Sequence, residues 1–142
     1  MAKGKVLVAG TFDFLHPGHV SFLSQAKKHG GFLVVVVSRD SNARKFKKVR
    51  PYFSQKGRLA LVSSLAVVDR AVLGEPGADH LAVVRKERPD AIVLGYDQWP
   101  DEKRLRRALD KAGLEKTKIF RARASRPEEY KSSKIRRHFE SA

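Results

Sequence analysis

"KVLVAGTFDFLHPGHVSFLSQAKKHGGFLVVVV", residues 5–37, is the stretch on which the fold turns. It opens with the apolar run "KVLVAG", which stops at Gly10, where the missing Cβ lets another group come close to the backbone. "HVSFLSQAKKHG" then spaces Val20, Leu23 and Ala26 at helical intervals and closes on Gly30, the expected C-cap. "FLVVVVS" follows, a β-branched run without polar alternation, as in strands covered on both faces of a parallel sheet. Strand, helix and strand in that order define a parallel crossover unit.

The alternation continues along the chain. After a basic loop from Arg39 to Arg50, "SQKGRLALVSSLAVV" puts Leu59, Val62 and Ala66 on one helix face, with Ser54 as its N-cap. "RAVLG" reads as a strand, "ADHLAVVRKER" as a helix and "DAIVLG" as a strand behind Pro89. "DEKRLRRALDKAG" repeats Leu105, Ala108, Leu109 and Ala112 at i, i+3, i+4, i+7 and stops at Gly113. "TKIFRARA" is the fifth strand, and "SSKIRRHF" a short last helix with Ile135 and Phe139 four apart. The pattern predicts an α/β fold, a Rossmann-like open parallel sheet of about five strands with helices on both faces. Its 142 residues suit a single domain, residues 1–142, with no internal repeat and no linker. Ligands in such sheets bind at the carboxyl ends of the strands, where strand order reverses. Those ends read "AGTFD", "VSRDS", "LGEPG", "LGYDQW" and "RARAS", and they hold most of the conspicuous polar residues and glycines.

Composition narrows the partners. An apolar share of 42% beside 32% charged residues marks a soluble globular chain, and no apolar run approaches the roughly 20 residues of a membrane span. The start "MAKGKVLVAG" lacks the apolar core of a signal peptide, so the expected location is the cytoplasm. The absence of Cys removes disulfides, thiolate metal sites and Cys nucleophiles. Lys and Arg number 30 against 15 Asp and Glu, a formal charge of +15 that favours anionic partners. Grouped basic residues with stacking aromatics would mark a nucleic-acid-binding module. Here the cations are scattered and also occupy helix faces such as "DEKRLRRALDK", which counts against that module; charge alone does not choose among nucleic acid, an anionic membrane surface and a phosphorylated small molecule.

The corner "GTFDFLHPGH" has the means to hold one. Pro17 suits a first helical position, so the helix starts at His16 or Pro17 and offers unpaired N–H groups and the positive end of its dipole. His16 and His19, three apart, lean over the same spot and complete a phosphate clamp with the amides. A metal would need a third ligand at a workable spacing, and none is evident. Asp13 either caps amides in the turn or contacts a substrate. Neither the GxxxxGK[ST] loop nor the GxGxxG fingerprint is present, so this is another kind of phosphate corner.

"GTFDFLHPGH" resembles the HxGH signature of the nucleotidylyltransferase superfamily, in its cytidylyltransferase-like branch. "YKSSKIRRHF" is similar to the STxKI element by which that branch holds a triphosphate. "FLVVVVSRDSNARKFKK", "RLALVSSLAVVDRAVLG" and "RPDAIVLGYDQ" resemble the archaeal-type FAD synthetases, and that likeness covers nearly the whole chain. It implies transfer of AMP from ATP to the phosphate of FMN, with Mg²⁺ carried mainly by the triphosphate. The related alternative is a CTP-dependent enzyme acting on glycerol 3-phosphate or another phospho-alcohol. Where those FAD synthetases tend to carry Cys, this chain reads "YKSSK".

The resemblance also distributes roles. His16 and His19 become catalytic, with Gly10, Thr11, Phe12, Pro17 and Gly18 completing the nucleotide corner. Ser132, Ser133 and Lys134 grip the outer phosphates, Asp97 contacts the sugar or base, and Arg126 or Arg123 adds a phosphate contact. Arg39, Arg44, Lys45 and Lys47 either lie over the phosphates or solvate the basic loop. Phe46, Tyr52 and Phe53 either stack on a flavin or pack that loop onto the body. A homodimer is common in the branch.

Overall fold

A computed structural model describes residues 4–47, 50–77, 79–98, 100–124 and 137–138. The strands are β1 (Lys5–Gly10), β2 (Phe32–Val37), β3 (Arg70–Leu73), β4 (Ala91–Leu94) and β5 (Lys118–Arg121). The helices are α1 (Pro17–Lys27), α2 (Asp40–Lys47), α3 (Gln55–Ser63), α4 (Ala82–Glu87) and α5 (Glu102–Lys111). All strand pairs are parallel, in the order β3-β2-β1-β4-β5. The chain therefore builds outward from β1 in one direction, then returns to place β4 on its other side. That reversal makes the crevice between the carboxyl ends of β1 and β4 the natural ligand site.

Period-two alternation divides the core. Val6 and Val8 of β1, with Leu33, Val35 and Val37 of β2, pack with Leu23 and Ala26 of α1 and Val62 of α3. On the other face Leu7, Val36, Ile92 and Leu94 meet Val83 and Val84 of α4 and Leu105 and Leu109 of α5. Helices thus cover both faces, as the continuous apolar strands require.

Four local expectations change. The segment after Arg39 is not simply a loop: α2 forms over Asp40–Lys47, with Asp40 in its first turn and Ala43 buried. Among its described side chains only Ala43 is buried, and two apolar residues in eight, Ala43 and Phe46, are too few to read as a helical stripe. Val20 is exposed while Leu23 and Ala26 are buried, because the first turn of α1 stands at the carboxyl edge of the sheet. Gly30 is not the cap, which is Lys28; a Cβ on Gly30 would lie 2.4 Å from the Gly4 carbonyl oxygen, so close packing demands the glycine. Ala66 falls beyond α3, which ends at Ser63. Ser54 does cap α3, accepting the Gly57 N–H at 3.2 Å, and Gly113 follows α5 at φ +78°.

Leu109 is completely buried between α5 and the sheet. Leu109→Ala is expected to lower the unfolding free energy by about 2–5 kcal/mol through lost transfer energy and the cavity left behind. Denaturant unfolding measures it.

Candidate active site

The corner after β1 is built from unusual backbone. Phe12 and Phe14 have φ of +56° and +50°, a left-handed conformation that side chains disfavour. The first turns the Phe12 ring inward, where it is buried against Gly10; a Cβ there would come within 2.9 Å of Phe12 Cε2. The close approach expected at Gly10 is made by this ring. Phe12 also meets His19, with ring centroids 5.5 Å apart.

His16 is the N-cap of α1 and Pro17 its first residue. Gly18 N–H donates to His16 Nδ1 at 3.1 Å, and His16 N–H donates to His19 Nδ1 at 3.3 Å, a reciprocal cap made of two imidazoles. Their centroids are 3.8 Å apart with the planes inclined by 31°. A nitrogen that accepts a backbone N–H cannot also carry a proton, so each neutral ring is assigned the Nε2–H tautomer. Burial favours that neutral form of His16 and holds its pKa below 6.5. The result is a pair of oriented N–H donors at a positive helix end.

The corner is braced from behind by residues no motif marked. Arg58 of α3 has no exposed surface. Its guanidinium donates to the Thr11 carbonyl at 2.8 Å, the Phe53 carbonyl at 3.0 Å and the Asp40 carboxylate at 2.6 Å. Asp40 also accepts the Gln55 N–H at 3.1 Å. Partial burial raises the Asp40 pKa, but the hydrogen bonds from Arg58 and Gln55 outweigh it and leave the carboxyl below its ordinary range. Asp13, buried, accepts the N–H groups of Tyr52 at 2.8 Å and Phe53 at 3.2 Å. It caps amides as one sequence reading held, although the amides are remote in sequence. Ser38, at the end of β2, donates to Thr11 Oγ1 at 3.2 Å.

Across the crevice, β4 ends in a tight turn. Gly95 N–H donates to Gln98 Oε1 at 2.9 Å, and Gln98 Nε2 donates to the Ala9 carbonyl at 3.0 Å, so one carboxamide joins the ends of β4 and β1. Arg121 Nη1 donates to the carbonyls of Gly95 at 2.7 Å and Gln98 at 3.0 Å. Asp97 stands exposed on the turn so fixed, just past the carboxyl end of β4, the strand beside β1. Arg39 donates to the Gly74 carbonyl at 2.6 Å, at the end of β3. The Arg123 backbone is held by Gln25 of α1, whose carboxamide accepts its N–H at 2.8 Å and donates to its carbonyl at 3.1 Å.

Arg44 and Lys45 are exposed on α2, while the side chains of Phe46 and Lys47 lie outside the described ones. Arg126, Ser132, Ser133 and Lys134 lie outside the described residues. No group of three or more His, Cys, Asp or Glu among the described residues could hold a metal ion, and no helix among them is long and apolar enough to cross a membrane. The donors at the corner are imidazole and amide N–H groups, suited to anions rather than to a hard cation that takes oxygen ligands.

Residues 7–138 match the cytidylyltransferase-like family, and the chain belongs to it: a nucleotidyltransferase with its histidine corner at the switch point of the sheet. Within that family its relatives include archaeal FAD synthases. It is 51% identical over 113 residues to the FAD synthase of Korarchaeum cryptofilum, covering 78% of this chain and 76% of that protein. It is 43% identical over 129 residues to that of Archaeoglobus profundus, covering 91% and 81%. A solved structure from Thermoplasma volcanium, described as a lipopolysaccharide core biosynthesis protein, is 46% identical with a TM-score of 0.82, covering 85% of this chain and 97% of that one. A pantoate-beta-alanine ligase from Francisella tularensis shares the fold alone, at TM-score 0.54 and 17% identity, covering 94% of this chain and 68% of that one.

Arg58→Met leaves the Thr11 and Phe53 carbonyls and Asp40 without their partner. It is expected to cost about 3 kcal/mol of stability, the low end for a broken buried pair because Asp40 keeps 35% of its side chain exposed. Thermal or denaturant unfolding checks this.

The His16 imidazole should titrate with a midpoint below 6.5 in an NMR pH series. The unfolded chain takes that proton first, so the His16 contribution to stability is complete above 6.5 and is lost as pH falls below it.

Proposed function

We propose that this single domain transfers AMP from ATP to the phosphate of FMN, forming FAD and releasing pyrophosphate. The observation that carries the reading is the imidazole pair locked into the N-terminus of α1 at the switch point, in a chain 51% and 43% identical to FAD synthases. The FMN phosphate is already largely deprotonated near neutral pH, with a second pKa of about 6. Attack therefore needs no strong general base. Its oxygen displaces pyrophosphate in line at the α-phosphorus, and the protein supplies position and charge stabilisation.

The Nε2–H groups of His16 and His19 and the amides of Thr11 and Phe12 donate to the oxygens of the reacting phosphates. Gly10, Pro17 and Gly18 shape the backbone around them. Asp97 contacts the nucleotide from the opposite lip, and Ser132, Ser133 and Lys134, with Arg126 or Arg123, take the outer phosphates. Arg39, Lys45 and Lys47 complete the cationic surroundings, and Asp13 acts by fixing the neighbouring loop. A divalent cation such as Mg²⁺, brought mainly by the substrate triphosphate, would supply charge neutralisation for the leaving pyrophosphate. The reading puts the enzyme in the cytoplasm and retains the homodimer implied by family resemblance.

Pyrophosphate release measured with ATP or CTP, and with FMN or glycerol 3-phosphate, tests the assignment. ATP with FMN should be the productive pair; release only with CTP and the phospho-alcohol would replace it. His16→Ala and His19→Ala should each lower kcat about 10²–10³-fold, the loss of one preorganised donor. Kinetics like those of the parent chain in either variant would remove the clamp assignment.

A further inference from the structure

Beside the histidine corner lies an aromatic cluster that the phosphate chemistry does not use. Tyr52 is 71% exposed, yet its ring stacks on Phe14, with centroids 5.4 Å apart and planes inclined by 26°. Phe53 meets Tyr52 nearly edge-on at 5.0 Å and Phe14 at 5.7 Å. The backbone beneath is fixed: the buried Asp13 carboxylate holds both the Tyr52 and Phe53 N–H groups, and Arg58 holds the Phe53 carbonyl. Phe14 itself stands at φ +50°. Apolar burial would draw Tyr52 inward; instead a buried charge and a disfavoured dihedral present its ring to solvent.

We propose that the Phe14–Tyr52 pair is the platform for the isoalloxazine ring of FMN, which stacks on the open face of Tyr52. This deepens the reading above and rests on it. Phe14 is two residues before His16, so the loop that carries the phosphate donors also carries the ring on which Tyr52 stacks. FMN has matching ends, a planar ring joined through a ribityl chain to a phosphate. A phospho-alcohol such as glycerol 3-phosphate has no ring and gains nothing from such a surface. Phe53 buttresses the platform by its edge contacts with both rings.

The test is fluorescence titration of FMN with the full chain and with Tyr52→Phe and Tyr52→Ala, alongside steady-state KM values for ATP and FMN. Stacking predicts that Tyr52→Ala weakens FMN binding about tenfold while the KM for ATP stays unchanged. Tyr52→Phe should keep the affinity but quench flavin fluorescence less, since the phenol is the stronger quencher. Equal FMN affinity and equal quenching in Tyr52→Ala and the parent chain would overturn the platform and leave the FMN reading standing. A parent chain that turns over a phospho-alcohol but not FMN would overturn both.

Discussion

A guanidinium without exposed surface, that of Arg58, ties together three pieces of chain remote in sequence: the loop after β1, the start of α2 and the segment ahead of α3. An arginine cannot shed its charge, so its burial is tolerable only where each nitrogen of its planar fork finds an oxygen. Thr11, Phe53 and Asp40 supply them. With Thr11 held from behind, the following residues have little room to relax, and the left-handed turns at Phe12 and Phe14 persist. Those turns send one phenyl ring into the core and the other to the surface.

The imidazoles show how a helix cap can become a reactive surface. Ser or Asp is the usual cap, satisfying an amide but offering no N–H donor beyond it. Histidine does both, since Nδ1 accepts the backbone N–H and Nε2 keeps its own proton to donate. The reciprocal bonds between His16 and the Gly18 amide, and between His19 and the His16 amide, therefore fix tautomer and ring direction together. An anion arriving there meets donors already aimed, inside the field of a chain carrying +15.

The sheet was legible because its strands are continuous apolar runs and its helices carry regular stripes, as in "FLVVVV" and in Leu105 and Leu109 of α5. The histidine corner was legible because Pro17 and Gly18 punctuate it. α2 escaped because its eight residues hold only two apolar ones, Ala43 and Phe46, too few to separate a helical stripe from a basic loop. Arg58, Gln25, Gln98 and Arg121 escaped for another reason. Each acts through hydrogen bonds to backbone atoms far along the chain, as Gln25 does with Arg123, and such pairing leaves no local spacing to detect. Asp13 was visible as a polar turn residue, but not its partners at Tyr52 and Phe53.

The junction of β1 and β4 has a consequence for how such a site changes. The two strands are in register only at Val6 with Ala91 and Leu7 with Ile92, whereas β1 follows β2 over its whole length. Past that point the Gln98 carboxamide links Ala9 to Gly95. The width of the crevice is thus governed by the reach of a side chain instead of the spacing of a ladder. A longer or shorter residue there would resize the nucleotide cleft without moving a strand, which gives the fold an adjustable jaw on a rigid frame.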